Sequence, residues 1–442
     1  PDDIHGLWQD RIDRLAGEYD AAGDVRAGIE LAAALGRDVD DDEWRVALEI
    51  AGIVVPDGLV DHIIERGLAR RGAQSWSFTH GMLVDSLARQ AREADRWQGF
   101  NDVCARALRI LGGRNQGHRR IAEHLVEAGR PEDALAPLMA AYEGALTAAR
   151  PDQGREHIER RAELLDQLGV DAKDRRCLEN SLALGRIATL TADWEDAQAV
   201  FDEVLPESRR RGFDDIVVQA LHVAGIYHWR HGELDQARRI LEEGLELDED
   251  VRGQNTLRLL LSLGWVEVSS GNLEKAREHF RETTELARTR GNIDRVLVGM
   301  RAIAVVADHL GDRKAALEQL EEVLERSDER GYLLLFVSTH NALGDLYRYE
   351  GDFERAYAHT EAYARISDQM GVNISSRIAL SNQAQVCLGM GRLDEAEEYI
   401  EQLERDFADR GVDSSTDVYI DVLRLTLAAA RGRWDELGER VE

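Results

Sequence analysis

The sequence predicts an all-α protein, a right-handed α-α superhelix of about seven stacked helical hairpins preceded by a small helical module with a wing. Three observations carry this. A short pattern returns at a near-constant step of about 40 residues through residues 175–442, and two further markers run in phase with it. The chain has only 6 prolines in 442 residues and is rich in Ala, Leu, Glu and Arg, a composition that favours helix. Its 43% hydrophobic content is too high for a disordered chain, and its length exceeds one compact core.

Residues 1–95 lie outside the repeat and read as a helical linker plus a small module. Helices are expected near 7–17, 24–35, 41–51 and 57–70. Asp40, Asp41 and Asp42 stand where a helix N-terminus favours negative charge. The acidic runs Asp38–Glu43 and Asp248–Asp250 otherwise read as solvated loops, without the spacing of a calcium loop. Leu68-Ala-Arg-Arg-Gly72-Ala-Gln-Ser-Trp76-Ser-Phe78 alternates about a glycine turn, which predicts a two-stranded wing. A further helix starts near His80 and runs through Met82, Leu83 and Leu87. Helices with a wing make a winged-helix-like module. Its second-to-last helix carries Asp57, Asp61 and Glu65 against Arg66, Arg70 and Arg71, so it lacks the basic face that entry into a DNA groove requires.

Residues 96–174 read as irregular hairpins linking this module to the array. One loose copy of the repeat lies there, Ala122 followed by Gly129-Arg-Pro-Glu-Asp-Ala134. Residues 150–170 look like an irregular hairpin. The regular array occupies 175–442. Its pattern reads Gly232-Glu-Leu-Asp-Gln-Ala237 and returns at Gly271–Ala276, Gly311–Ala316, Gly351–Ala356 and Gly391–Ala396. A variant stands at Ala192–Ala197 and a half-formed last copy at Gly432–Leu437. A small residue precedes each anchoring alanine by twelve positions: Gly185, Gly225, Gly264, Ala304, Gly344 and Ala384. Gly291, Gly331, Gly371 and Gly411 close successive units.

The physics of the unit is direct. Apolar spacing at i, i+3, i+4 and i+7 makes each half-repeat an amphipathic helix. The glycine between helices ends the first in a left-handed cap, and the Asp or Asn after it can cap the second. The small residue and the alanine belong where the two helices cross. No hairpin buries its apolar face alone, so neighbours must stack.

This pattern resembles the tetratricopeptide repeat (TPR) in its longer form of bacterial signalling proteins. Leu343-Gly344-x-x-Tyr347, with Gly351 and Ala356, matches it best. The segment Trp76-Ser-Phe-Thr-His80-Gly-Met-Leu-Val-Asp-Ser-Leu is similar to the end of the winged helix in signal transduction ATPases with numerous domains (STAND), where an aromatic strand leads into an MHD-type tripeptide. Thr79, His80 and Gly81 match that tripeptide, with Gly81 in place of its Asp. The order of winged helix followed by a long TPR array is also that family's order. The resemblance implies that His80 senses nucleotide when an ATPase domain is present. No GxxxxGK[ST] loop and no Gly-Lys pair occurs in these residues. The chain is therefore expected to be non-catalytic, with the ATPase lying upstream of Pro1. No cofactor is expected in the chain itself, ATP or ADP being implied only for that upstream domain.

The remaining chemistry is sparse. A formal charge of −30 repels nucleic acid and anionic membrane, so neither is expected as a partner. Lysine occurs only at 173, 275 and 314, an arginine bias that fits a GC-rich genome. Cys104, Cys177 and Cys387 are too few and too scattered for a disulfide framework, which fits a cytoplasmic protein, and they read as buried thiols. No secretory signal and no membrane-length apolar run is visible. His222, His228 and His231 cluster on one helix and its turn. Packing and turn positions account for them, and no metal site is expected. No nucleophile elbow and no distinct carboxylate pair stands out among 85 acids.

The first helix of each TPR hairpin lines the concave side of such an array. Positions around each small marker then point to a partner-binding path: Arg186, His222, Trp229, Trp265, Arg301, Asp308, Asn341, Asp345, Arg348 and Gln385. Trp and Arg are frequent anchors at interfaces. Trp229 and Trp265 fit inter-repeat core equally well. The slot after each marker holds no Asn, which disfavours the chaperone-tail mode of carboxylate capture. The expected function is a sensor and regulatory region that binds a protein or peptide and couples it to an upstream ATPase, with self-association left open. The alternatives are a stand-alone TPR adaptor and part of a regulator resembling the maltose-system activator.

Overall fold

The computed structural model describes residues 2–19, 22–112, 117–148, 150–191, 194–250, 253, 255–370, 373–409 and 418–433. Ala192, Gly371, Gly411 and the half-formed copy from Trp434 onward lie outside the described residues. The chain divides into two compact units, residues 1–144 with 156–170, and residues 145–155 with 171–442. No helix among the described residues is long and apolar enough to cross a membrane.

The first unit begins with α1 (Asp2–Ala16), α2 (Ala22–Leu35), β1 (Asp38–Asp40), α3 (Asp41–Ala51), α4 (Leu59–Glu65), β2 (Ala69–Arg71) and β3 (Ser75–Phe78). It continues through α5 (Gly81–Glu93), α6 (Trp97–Ile110) and α7 (Gly117–Glu127), followed by α8 (Pro131–Thr147) and α9 (Pro151–Gln167). The strands form an antiparallel sheet in the order β1-β3-β2. Trp76 and Phe78 alternate inward from β3 and are fully buried, with Val39 beside them.

Three expectations need correction. The sheet has a third strand beside the two expected, drawn from the acidic run read as a solvated loop. Val39 is the one apolar residue at its start and is buried in the core. Asp40 stops the strand by accepting the N–H groups of Asp42 (2.9 Å) and Glu43 (3.1 Å), which caps α3. The helix expected over 57–70 ends at Glu65, because Gly67 turns the chain at φ +68° and frees residues 69–71 for the sheet. Residues 150–170 hold one continuous helix, Pro151–Gln167, rather than an irregular hairpin.

Two ion pairs with buried carboxylates pin the helices of this unit. Arg96 donates to both carboxylate oxygens of the fully buried Glu30, at 2.9 and 2.8 Å. Burial pushes the Glu30 carboxyl above the usual range, and Arg96 partly offsets this. Arg120 holds Glu43 in the same two-pronged way, at 2.7 Å on each side.

The array starts with α10 (Arg175–Thr191). Its partner is interrupted: α11 (Trp194–Ala199), a π-helical turn (Val200–Val204) and α12 (Leu205–Arg211). Regular pairs follow: α13 (Asp214–Arg230) with α14 (Leu234–Asp250), α15 (Thr256–Ser269) with α16 (Leu273–Thr289), and α17 (Ile293–His309) with α18 (Arg313–Glu329). Next come α19 (Leu333–Glu350) with α20 (Phe353–Met370), α21 (Asn373–Met390) with α22 (Leu393–Asp409), and α23 (Val418–Ala430). This is the all-α superhelical fold the periodicity predicts. The anchoring alanines 197, 237, 276, 316, 356 and 396 are all fully buried. The inter-helix turns place Gly271 at φ +78° and Gly311 at φ +91°, a backbone region that favours glycine.

The helix crossing differs in detail from the expectation. A Cβ on Gly264 would lie 2.2 Å from Phe280, and one on Gly225 would lie 2.5 Å from Leu241. The small residue thus faces the side chain one turn past the anchoring alanine. Gly264→Val is expected to lower the stability of the array by about 2 kcal/mol, because the added side chain overlaps the ring of the fully buried Phe280. Urea unfolding of the intact chain measures this, and an unchanged midpoint would remove the close crossing.

Asp248 is a further correction. Read as part of a solvated run, it is fully buried near the end of α14. Its carboxylate accepts the N–H of Asn255 (3.0 Å) and the hydroxyl of Thr256 (2.6 Å), which fixes the entry into α15. Cys104 and Cys387 are buried as expected, but Cys177 is only half-buried, since it sits in the first turn of α10.

Candidate functional site

Within the array, successive first helices approach to within 8 Å between Cα atoms: α10 and α13, α13 and α15, α15 and α17, α17 and α19, α19 and α21. The second helices approach one another less. The first helices therefore share the inner, more tightly curved side. Helix α10 also comes within this distance of α21.

That spacing brings side chains about one repeat apart into contact, and the candidate residues form a ladder. The His222 ring Nε2 lies 3.1 Å from Ser262 Oγ. Trp229 Nε1 donates to Ser269 Oγ at 2.8 Å. The Arg301 guanidinium lies over the Trp265 ring, 5.3 Å from its centroid. Asn382 donates to Asn341 Oδ1 at 2.8 Å. Two ion pairs lie beside the ladder within single hairpins: Arg313 meets Asp308 at 3.3 Å across the α17–α18 turn, and Arg348 meets Asp345 at 3.4 Å along α19. Arg348 and Gln385 also line a pocket of about 440 Å³ with Phe353, Leu388 and Val422.

The tryptophans contribute on both sides. Trp265 packs on Phe280 with the rings tilted, 5.1 Å between centroids, and carries Arg301 on its own ring. Trp229 uses its N–H on Ser269 and carries Arg230 at 4.7 Å. Both rings are half-buried, so each joins the inter-repeat core while facing the shared surface.

Electrostatics divide the ladder. Burial pushes the His222 imidazole down to about 3, and Arg258, Arg186 and Arg295 push it the same way. Every charge acting on it is an arginine. Burial lowers Arg301 to about 10, so it remains a cation at neutral pH. Further along, burial raises Asp345, Arg348 partly offsets this, and Asp308 adds repulsion. The charges acting on His222 are thus arginines, and those acting on Asp345 are of both signs.

Ser262 and Asn382 were not singled out in the sequence, yet each stands about one repeat after His222 or Asn341. Applying the period to every candidate would have found them. Arg258 and Arg295 sit on the N-terminal turns of their helices, away from the markers, and carried no such signal.

In the first unit, His80 occupies the cap position of α5 and is exposed, its ring 5.3 Å from that of Trp8. The neighbouring Thr79 hydroxyl bonds to the carbonyls of Gly67 (3.1 Å) and Leu68 (3.0 Å), which anchors the turn that presents His80. His228 is engaged by Glu233 at 2.5 Å, and His231 Nδ1 lies 2.8 Å from the Tyr227 carbonyl. The three histidines of that cluster therefore face separate partners.

Comparison with known proteins places this architecture. Residues 255–441 match a family described as MalT-like TPR region. The chain is similar to the crystal structure of a STAND protein with a tetratricopeptide repeat sensor from Pyrococcus horikoshii. There the TM-score is 0.60 at 12% identity, over 94% of this chain and 62% of that one. It is also similar to a Rap protein complexed with competence and sporulation factor, with TM-score 0.54 at 15% identity, over 70% of this chain and 86% of that one. At these identities the likeness shows the fold. The chain thus spans less than two thirds of the STAND protein's length. No curated protein matches the sequence.

Proposed function

We propose that this chain is the sensor and regulatory region of a STAND-like signalling protein. The array binds a protein or peptide along its first helices, and the front module couples that event to an ATPase domain outside this chain. The observation that carries the binding reading is the ladder itself. Half-buried polar and aromatic side chains join α13 to α15, α15 to α17 and α19 to α21, contacts one repeat apart that the packing of the helices alone does not require. The likeness to the STAND TPR sensor extends over nearly the whole chain, front module included, and supports the coupling. In the same reading, exposed His80 is the group that reaches nucleotide.

Peptides selected on the intact chain from a random display library test the binding face. In isothermal titration, the double variant Asn341→Ala, Asp345→Ala is expected to weaken them by at least about tenfold. Affinity unchanged by this variant and by Trp229→Ala would move the binding surface off the first helices. The coupling is tested by the coding sequence before Pro1, where a phosphate-binding loop is expected.

A second reading has one specific observation in its favour, the match of residues 255–441 to a MalT-like TPR region. In a regulator of that type, a DNA-binding domain follows the array, so the coding sequence beyond Glu442 separates the two.

A further inference from the structure

We propose that the inner face of the α13–α17 stretch selects a polypeptide segment that presents a carboxylate beside an apolar side chain, with Arg301 as the anchor of that carboxylate. The inference rests on the reading of the first helices as the binding face, and it names the chemistry that face prefers.

Arg301 stands apart from the other cations of the ladder. Arg348 has Asp345, and Arg313 has Asp308. Among the described residues, Arg301 meets no carboxylate within ion-pair distance, and its Nε is buried without a hydrogen-bond partner. Its neighbours are the Trp265 ring and, more distantly, Tyr332. Contact with an aromatic face recovers part of what burial of a guanidinium costs, and not all of it. Arg348 Nε is likewise buried without a partner, but its guanidinium keeps Asp345, whereas Arg301 combines an unpaired donor with no carboxylate, which points to a partner that arrives later.

The surroundings fit the same ligand. Arg186, Arg258 and Arg295 act on His222 from three different helices, with no carboxylate among the charges facing it. These arginines lie in a chain of net charge −30, so an acidic segment is favoured near them relative to much of the rest. Ile226 and Val305 are half-buried on the same helices and offer apolar area next to the charge. A guanidinium held over a ring presents its N–H edge sideways, which suits the two oxygens of a carboxylate.

Four fluorescein-labelled hexapeptide pools test the proposal on the intact chain by anisotropy. One has a central Asp or Glu and an amidated end, and one is apolar with a free carboxylate end. One is apolar and amidated, and one has a central Lys and an amidated end. The expected result is at least about tenfold tighter binding of an acid-bearing pool than of the apolar amidated pool, with Arg301→Gln abolishing the preference. Which acid-bearing pool wins tells a side-chain carboxylate from a terminal one. Circular dichroism checks the fold of Arg301→Gln. If that variant does not fold, Arg301→Lys, which keeps the charge and loses the flat two-pronged edge, is expected to reduce the preference.

Equal binding of all pools overturns the proposal, as does a preference that survives Arg301→Gln. So does displacement of the bound acidic pool by millimolar inorganic phosphate, which would make the site a simple anion site. If the apolar amidated pool binds as well as the acidic ones and Asn341→Ala weakens it, the binding face stands and only the carboxylate assignment falls. Binding of no pool sinks both.

Discussion

Glu267→Ala is expected to destabilise the array by about 3–5 kcal/mol, the range for removing one partner of a buried ion pair. Glu267 lies on α15 with its side chain fully buried. Arg238 from α14 donates to it at 2.8 Å, Lys275 from α16 at 2.8 Å, and Asn272 of the intervening turn at 2.7 Å. Burial alone would raise its pKa, but these three donors outweigh burial and hold it at about 2. Alanine removes the acceptor shared by the largely buried Arg238 and the half-exposed Lys275 at the meeting of three helices. A solenoid repeat touches only its neighbours, so the loss should be local. Hydrogen exchange is expected to quicken in α14–α16 before the rest of the array. Glu267→Gln keeps a group for Asn272 to bond and removes the charge, so it should fall between wild type and alanine. Equal unfolding midpoints for wild type and Glu267→Ala would mean the network is solvated.

The position of Glu267 shows what the sequence could and could not reveal. It stands three residues after the small marker, a slot held in other repeats by Ala188, His228, Ala307, Tyr347 and Cys387. Identity varies, so no motif marks the slot. Yet where a polar residue fills it, the structure finds a dedicated partner: Glu233 for His228, Arg238 and Lys275 for Glu267, Glu321 for Tyr347. The markers themselves were legible because backbone geometry permits few alternatives. A left-handed turn favours glycine, and a close helix crossing favours a small residue. Asn272 illustrates the limit. Its place after a turn glycine predicts a helix cap, but its side chain serves Glu267 instead.

The candidate site divides the same way. Periodicity identifies which residues share a face, and so His222, Trp229, Trp265 and Asn341 each meet a residue about one repeat away. Whether a charge on that face is already engaged depends on its neighbour in space. Arg301 and Arg348 look alike in sequence. Among the described residues Arg301 meets no acid and Arg348 meets Asp345, a difference that only packing decides. In the first unit, β1 escaped notice because three residues with a single apolar member give no alternation to count. Its partner β3 was legible from Trp76 and Phe78.

Mild acid should unfold the chain well before its carboxylates titrate, because three histidines are held neutral in the folded state. Burial, with help from Arg120, lowers His124 to about 4. Burial and three arginines lower His222 to about 3. Burial lowers His340 to about 4, with His359 and Arg365 pushing the same way and Asp328 opposing. Each lies against a group that suits the neutral ring: Asn101 at 2.8 Å for His124, Ser262 at 3.1 Å for His222, and the His359 ring at 2.9 Å for His340. In the unfolded chain all three titrate near 6.5. As pH falls below that value, the unfolded state takes up protons that the folded state refuses, and stability drops until the folded value is reached. The loss is on the order of 3 kcal/mol for each histidine carried from 6.5 to about 4. Glu30 and Asp345 act with the opposite sign, since burial raises them and protonation relieves a cost they carry at neutral pH. Glu267 adds to the acid loss only lower down, as pH falls from the usual carboxylate value towards 2. The urea midpoint is therefore expected to fall steadily from pH 6.5 to 4, with His222→Gln and His340→Gln each flattening the slope for the array. His124 belongs to the first unit, so His124→Gln should leave the array's slope unchanged and flatten that of the front module. A midpoint level across this range would show that these rings are protonated in the folded state, and the packing of α13 against α15 at His222 would have to open to let water in.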